Sequence, residues 1–214
     1  MTDSFPIQNQ LAGRLSAGVN IYGGLSLRSE PLLKKYIAAR LEAIRKSHGA
    51  MLPQSFSYSR RLYKAFHVDP TKHRPSSEAL WRRLRDRNDF PAVNPAVDLT
   101  NLLSLTHQVC YGLYDLARLR PPAVIALGEA GDEYQGIRKE TLSFAGKIVL
   151  RDGLGAFGNP SSDSLRASVG ESSRDILQVL FFHPADPARD TVQAATLAAF
   201  HEHFTMAEIR SFFI

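Results

Sequence analysis

Strand-like and helix-like segments do not alternate along this chain, and that order constrains the fold more than any single motif. Leu15–Leu27 (LSAGVNIYGGLSL) mixes β-branched and apolar residues with glycines and reads as one or two strands. From Ser29 the pattern turns helical. Leu33, Tyr36, Ile37, Leu41 and Ile44 recur at spacings of three and four, Ser29 or Glu30 with Pro31 supplies a start, and Ser47-His48-Gly49 a stop. Pro53 to Pro75 is loop-rich, with a short segment around Tyr63–Val68. Two further helices follow. One begins at Ser76, with Glu78 near its positive end and Leu80 and Leu84 as its apolar stripe; the other has Asp98 as its cap and Leu99, Leu102, Leu103 and Thr106 facing inward. Tyr111–Leu119 reads as extended structure with a turn. Val124–Leu127, Thr141–Phe144 and Lys147–Arg151 read as strands, and Gly153–Ser164 as a loop too polar for the core. Ile176–Phe182 (ILQVLFF), β-branched, aromatic and uncharged, is a strong strand signal, and Asp190 caps a final helix, Thr191–Phe204. A doubly wound parallel sheet requires regular alternation of strand and helix. This order instead predicts a mixed α+β domain whose mostly antiparallel sheets form a β-sandwich-like core covered by helices.

The 214 residues, 44% of them apolar, suit one domain with a real core. No run approaches the ~18 apolar residues of a membrane span, so no membrane association is expected. MTDSFPIQNQLAGRL lacks the basic and apolar regions of a secretory signal. Cys110 is the single cysteine, so no intramolecular disulfide can form, and together these features favour the cytoplasm. Within Val109-Cys110-Tyr111 the thiol reads as a small buried side chain rather than a nucleophile.

Several chemistries are disfavoured. There is no phosphate-binding glycine loop, no cysteine-based zinc site and no G-x-S-x-G elbow. His201-Glu202-His203 invites a metal reading, but positions i and i+2 of a helix point about 200° apart. No cofactor and no metal are expected.

Charge is concentrated. Arg60–Arg87 holds nine Lys or Arg against three acids, a local balance of +6 where the whole chain carries +5. Arg60, Arg61, Lys72, Arg74, Arg82, Arg83 and Arg85 are therefore candidates for contact with nucleic-acid phosphates, the alternative being a solvated helix face. Trp81 and Tyr63 beside them could stack on bases or belong to the core.

Three segments, the first made of two strings, carry a family resemblance. DPTKHRPSSEALWRRL (Asp69–Leu84) is followed by NPAVDLTN (Asn94–Asn101), then by VCYGLYDL (Val109–Leu116) and by KIVLRDGLGAFGNPSSDSLRASV (Lys147–Val169). They resemble the "VDVTN", "PMHAFDLD" and "GIMGGEES" segments of the editing, tRNA-binding domain in the β subunit of bacterial phenylalanyl-tRNA synthetase. The resemblance runs from about Tyr63 to Phe182 of a single domain, 1–214, and leaves a C-terminal helical extension at about 190–214. It implies a free-standing module that binds tRNA or aminoacyl-tRNA, or a small amino-acid-like ligand, and hydrolyses or sequesters mischarged aminoacyl-tRNA. It also implies a pocket at Thr100, Asn101, Gly112, Gly158, Asn159, Ser162, Asp163 and Arg166.

The departures fall on the chemistry. Gly112 stands where the family has a histidine linked to hydrolysis, and Gly158-Asn159-Pro160-Ser161 offers no match for the glutamate after the family's paired glycines. Asp163-Ser164-Leu165-Arg166 is similar instead to a D-S-x-R pattern of free-standing relatives. Arg166 reads either as a bidentate binder of carboxylate or phosphate or as a loop ion pair with Asp163. Asn101 reads as a ligand contact or a first-turn cap, and Ser162 and Ser164 as ligand contacts or turn formers. His107 could replace the missing histidine or simply answer a helix dipole. A non-catalytic binding module is the alternative to an ester hydrolase. A third reading is assembly through the apolar tail Ser211–Ile214, unless that tail packs on its own domain.

Overall fold

The strongest strand signal becomes the centre of the molecule. The computed structural model describes residues 5–47 and 56–214; His48 and Gly49 of the expected helix stop lie outside the described residues. β11 (Ile176–Phe182) is buried along its whole length. It lies in a four-stranded antiparallel sheet between β2 (Ser16–Gly23) and β4 (Cys110–Asp115), and β13 (Glu208–Phe213) pairs on the far side of β2. Strand alternation gives β11 two apolar faces. Leu177, Val179 and Phe181 join Val19 and Ile21 in one core; Ile176, Leu180 and Phe182 join a second.

The first of these cores is closed by another sheet. Its order is β1 (Ile7–Asn9), β5 (Ala123–Leu127), β8 (Ile148–Asp152), β9 (Gly155–Asn159) and β10 (Ser162–Asp163), antiparallel apart from the parallel β1–β5 pair. Ile125, Ile148, Leu150 and Phe157 meet β2 and β11 in its interior. The second core is covered by α1 (Glu30–Ser47), α3 (Ser76–Arg87), α4 (Pro95–His107) and α5 (Arg189–His203). α2 (Ser57–Ala65) contributes Leu62 and Tyr63 to the core between the sheets. Two small pairs, β3 (Ser26–Leu27) with β12 (Phe204–Thr205) and β6 (Glu133–Gln135) with β7 (Thr141–Ser143), complete an α+β fold. Among the described residues no helix is long and apolar enough to cross a membrane.

The structure differs from the sequence reading in five places. Asp190 does not cap the last helix, because α5 starts at Arg189 behind Ala188 and has no side-chain cap. Gly153–Ser164 is not a surface loop. It is β9 and β10 with Ala156–Asn159 buried, and Gly155, at φ +104°, makes the tight turn out of β8. The α4 cap is Asn94, whose Oδ1 accepts the Val97 N–H at 3.0 Å, with Pro95 in the first turn; Asp98 instead reaches back to the Val93 N–H at 2.8 Å. Ser59–Ala65, expected to be largely loop, belongs to helix α2. The C-terminal segment is helical only to His203. β13 then adds to the sheet, with Phe212 opposite Val19, so the tail packs on its own domain.

Candidate functional site

A cleft of about 470 Å³ opens between α3, α4, β4 and the β10 segment. Leu80, Val97, Leu113 and Leu165 give it apolar walls. Its polar lining includes Thr100, Asn101, Ser162 and Asp163, so four of the eight pocket candidates come together here. Each is placed by a local rule. Thr100 and Asn101 follow from the Asn94 cap, which fixes the phase of α4. Thr100 turns inward, and its Oγ1 accepts from Nε2 of buried Gln178 at 3.2 Å. Asn101 keeps its side-chain amide free of any hydrogen bond to the described residues, leaving a donor and an acceptor for a ligand. Ser162 and Asp163 come from β10, paired in register with Asn159 and Gly158.

The other four candidates lie elsewhere. Tyr111 and Leu113 line the cleft, so alternation along β4 turns Gly112 to the opposite face. A Cβ at Gly112 would lie 2.1 Å from the Tyr114 hydroxyl, and one at Gly158 would lie 2.2 Å from it. Both glycines are thus spaces occupied by one buried phenol, and a side chain at 112 would point at Tyr114 rather than at the cleft. Asn159 is structural: its Nδ2 donates to the Ile148 carbonyl, and its Oδ1 accepts the Ser161 N–H at 2.8 Å. Arg166 pairs with neither a ligand nor Asp163. Its guanidinium forks onto the fully buried carboxylate of Asp152, at 3.1 and 3.0 Å, and also meets the Arg118 and Gly155 carbonyls.

Asp163 is the acid of the cleft. It sits opposite Gly158 in the β9–β10 pair, which brings its carboxyl against the Tyr114 phenol. Neither Asp163 Oδ1 nor the Tyr114 hydroxyl completes a well-formed hydrogen bond, and both atoms are buried. Burial pushes the carboxyl up to about 7, against the opposing pull of the Tyr114 hydroxyl and the Leu113 amide. Burial likewise raises the Tyr114 phenol well above its usual range, and the Asp163 charge adds to this. Two cations, Arg83 and Arg138, line the same cleft.

The basic stretch proves to be mostly paired. Glu78, 2% exposed, accepts two bonds of 2.8 Å from Arg60, and Arg82 and Arg74 approach it at 3.3 and 3.8 Å. Burial opposes its charge, but Arg60 and then Arg82 and Arg74 hold the carboxyl below its usual range. Arg83 pairs with Asp89; Arg85 pairs with Asp86 and lies 4.4 Å over the Trp81 ring. Arg61 lies over Tyr58, 5.4 Å from its ring centre, and with Lys72 forms no ion pair among the described residues. Trp81 and Tyr63 are core residues. Trp81 packs edge-on against Phe56, and Tyr63 shares a 2.6 Å hydrogen bond with Ser161, so neither presents a face to a base.

His107 ends α4 away from the cleft lining. Burial and then the Arg40 charge lower its proton affinity. His203 packs at a tilt against Tyr36, with ring centres 4.6 Å apart, Cys110 is fully buried, and among the described residues no group of three His, Cys, Asp or Glu could hold a metal. Sequence reasoning missed Tyr114 and Arg138. The repeated tyrosines of YGLYD carried the signal for the first, because Tyr111 and Tyr114 fall on opposite faces of one strand and frame Gly112. Arg138 had no local signal, since the turn between β6 and β7 brings it to the cleft.

Residues 59–201 match the family model described as the B3/4 domain. Curated protein sequences give no match. Among solved structures, an N-terminal fragment of the phenylalanyl-tRNA synthetase β subunit from Pyrococcus horikoshii is similar at a TM-score of 0.48 and 12% identity. The similarity covers 98% of this chain and 53% of that fragment, so the chain spans about half the fragment's length. The matched span includes α3, α4, β4 and the β9–β10 segment, all the elements that build the cleft, and it exceeds half of the 214 residues; the chain belongs to the B3/4 domain family, a domain found in the phenylalanyl-tRNA synthetase β subunit.

Proposed function

We propose that this chain forms a module that receives the aminoacylated end of a tRNA in the α4–β10 cleft and hydrolyses or sequesters it. The observation that carries this reading is the distribution of chemistry in the cleft. An apolar wall formed by Leu80, Val97 and Leu113 suits an amino-acid side chain, and the unengaged Asn101 amide suits the amino and carbonyl groups of an aminoacyl ester. Arg138, which forms no ion pair among the described residues, suits the phosphates behind it. Membership of the B3/4 family supports the choice of a tRNA end over other esters. Of the seven basic candidates, Arg61 and Lys72 are the ones best placed to add salt-dependent contacts, since the other five are engaged by acids.

The test is binding of a panel of aminoacyl-tRNAs and their deacylated forms at low and high salt. Aminoacylated forms should bind more tightly, affinity should fall with salt, and Asn101→Ala should abolish the preference for the aminoacylated form while the protein stays folded. Equal affinity for charged and uncharged tRNA, or no binding at low salt, would overturn the reading. A non-catalytic receptor for a small amino-acid-like ligand is the second reading, favoured by Gly112, whose position faces Tyr114 and not the cleft. A thermal shift with free amino acids and no turnover of any ester would favour it.

A further inference from the structure

The cleft contains one acid, and the fold withholds a normal partner from it. We propose that Asp163 is the general base of an ester hydrolysis carried out in this cleft, with the Tyr114 hydroxyl beside its carboxyl as the positioning residue. This deepens the reading above and rests on it for the identity of the ester.

Three separate features of the structure lead here. First, Asp163 lines the cleft, and its buried Oδ1 completes no well-formed hydrogen bond, although the Tyr114 hydroxyl and the Leu113 amide lie beside the carboxyl. A structural aspartate in such a place would be neutralised by a cation, as Glu78 and Asp152 are in this same molecule. Asp163 has no ion pair among the described residues, although Arg83 and Arg138 line the same cleft.

Second, the phenol beside it is held there at the expense of two side chains. Tyr114 is fully buried, its ring packs edge-on against Phe157 at 4.9 Å, and its hydroxyl fills the Cβ positions of both Gly112 and Gly158. A histidine at 112 could not coexist with it. The glycine that removes one titratable group thus makes room for another beside the carboxyl.

Third, the electrostatic surroundings keep the acid poised. The groups beside it are the Leu113 amide and Tyr114 of β4 and Tyr134 of β6; Arg83 and Arg138 line the same cleft, and neither forms an ion pair with it. Burial raises the carboxyl to about 7, so near neutral pH a large fraction is available as base and the conjugate acid is available as donor. Tyr134 donates its own hydroxyl to the Ser162 carbonyl, which fixes the backbone beside Asp163.

The step balances without a co-reactant other than water. The Asp163 carboxylate takes a proton from water as the water oxygen bonds to the ester carbonyl carbon. The carbonyl electron pair moves onto its oxygen and then returns. The bond from the carbonyl carbon to the ribose oxygen breaks, and that oxygen leaves with the electron pair and takes the proton from the Asp163 carboxyl. The products are the free amino acid and a tRNA with its terminal hydroxyl restored.

The experiment is single-turnover deacylation of bound aminoacyl-tRNA from about pH 5.5 to 9, corrected for the uncatalysed reaction. It compares the parent protein with Asp163→Asn and Tyr114→Phe, and affinities are measured in parallel. The parent rate should rise with pH and level off with a midpoint near 7. Asp163→Asn should lose about 100-fold or more in rate while still binding. Tyr114→Phe should move the midpoint to higher pH, because the hydroxyl no longer favours the ionised carboxylate. A parent protein that binds but does not deacylate, an Asp163→Asn rate within about tenfold of the parent's, or a Tyr114→Phe midpoint unmoved or lowered would overturn the proposal. The first of these leaves the binding reading standing. If instead no aminoacyl-tRNA binds, that reading fails by itself, and the same three proteins assayed on simple amino-acid ethyl esters still decide the role of Asp163.

Discussion

Replacing Glu78 by glutamine removes one charge from the most densely paired point of the basic stretch. The side chain is 3% exposed; Arg60, Arg74 and Arg82 around it are 24, 38 and 39% exposed. Glutamine keeps the shape but turns an –NH2 group toward guanidinium donors and leaves three cations around a neutral group. Breaking a fully buried pair costs about 3–5 kcal/mol. Here the arginines can rehydrate, which screens the loss and reduces it to about 2–3 kcal/mol at neutral pH. For a chain of this size that lowers the Tm by roughly 5–10 °C. The pH dependence has a definite sign. Glu78 is held below its ordinary value in the folded protein, so its contribution is fully present above the ordinary glutamate range and is lost as pH falls through the depressed value. Urea unfolding of the parent, Glu78→Gln, Arg60→Met and the double variant at pH 7 and in mild acid measures this. The gap between parent and Glu78→Gln should narrow in acid, and the double variant should cost less than the two single changes together. A gap below about 0.5 kcal/mol at pH 7, or one that widens in acid, would refute the account of Glu78 as a buried acid held ionised by its arginines.

Two further outcomes follow from the packing around the cleft. Gly112→Ala and Gly158→Ala should each destabilise by roughly 1–3 kcal/mol through overlap with Tyr114. Their effects should not add, because relief of one contact moves the same ring; denaturation of the double variant checks this. Arg166→Met should cost roughly 1–3 kcal/mol by leaving Asp152 without its cation, with no change in affinity for aminoacyl-tRNA. An affinity loss in folded Arg166→Met would return that residue to the ligand site.

The parts of the fold legible in the sequence were those with a strong local period. ILQVLFF could be read as a strand because seven consecutive residues suit a pleated surface and carry no charge. α1 and α4 showed their spacing, and Cys110 showed its burial through its neighbours. The β9 strand was hidden because glycine and alanine supply little hydrophobic signal, although they are what lets the strand lie against Tyr114. β13 was hidden because its last residues read as the apolar tail of a helical extension, and only the edge of β2 makes it a strand. The basic stretch was visible as composition. That Glu78 gathers three of its arginines was not, because Arg60 comes from α2 and reaches across to α3.

By itself the sequence determined an α+β order of elements, the family strings, and the presence of Asn101 and Asp163 in them. It did so because periodicity, capping and turn chemistry act between near neighbours. Tertiary structure decided which of the candidates share a cleft, which cations are free, and that the phenol of Tyr114 lies where a side chain at 112 would have been. Those outcomes depend on which strand lies beside which and on the face each residue takes, and in a sheet a shift of one residue reverses that face.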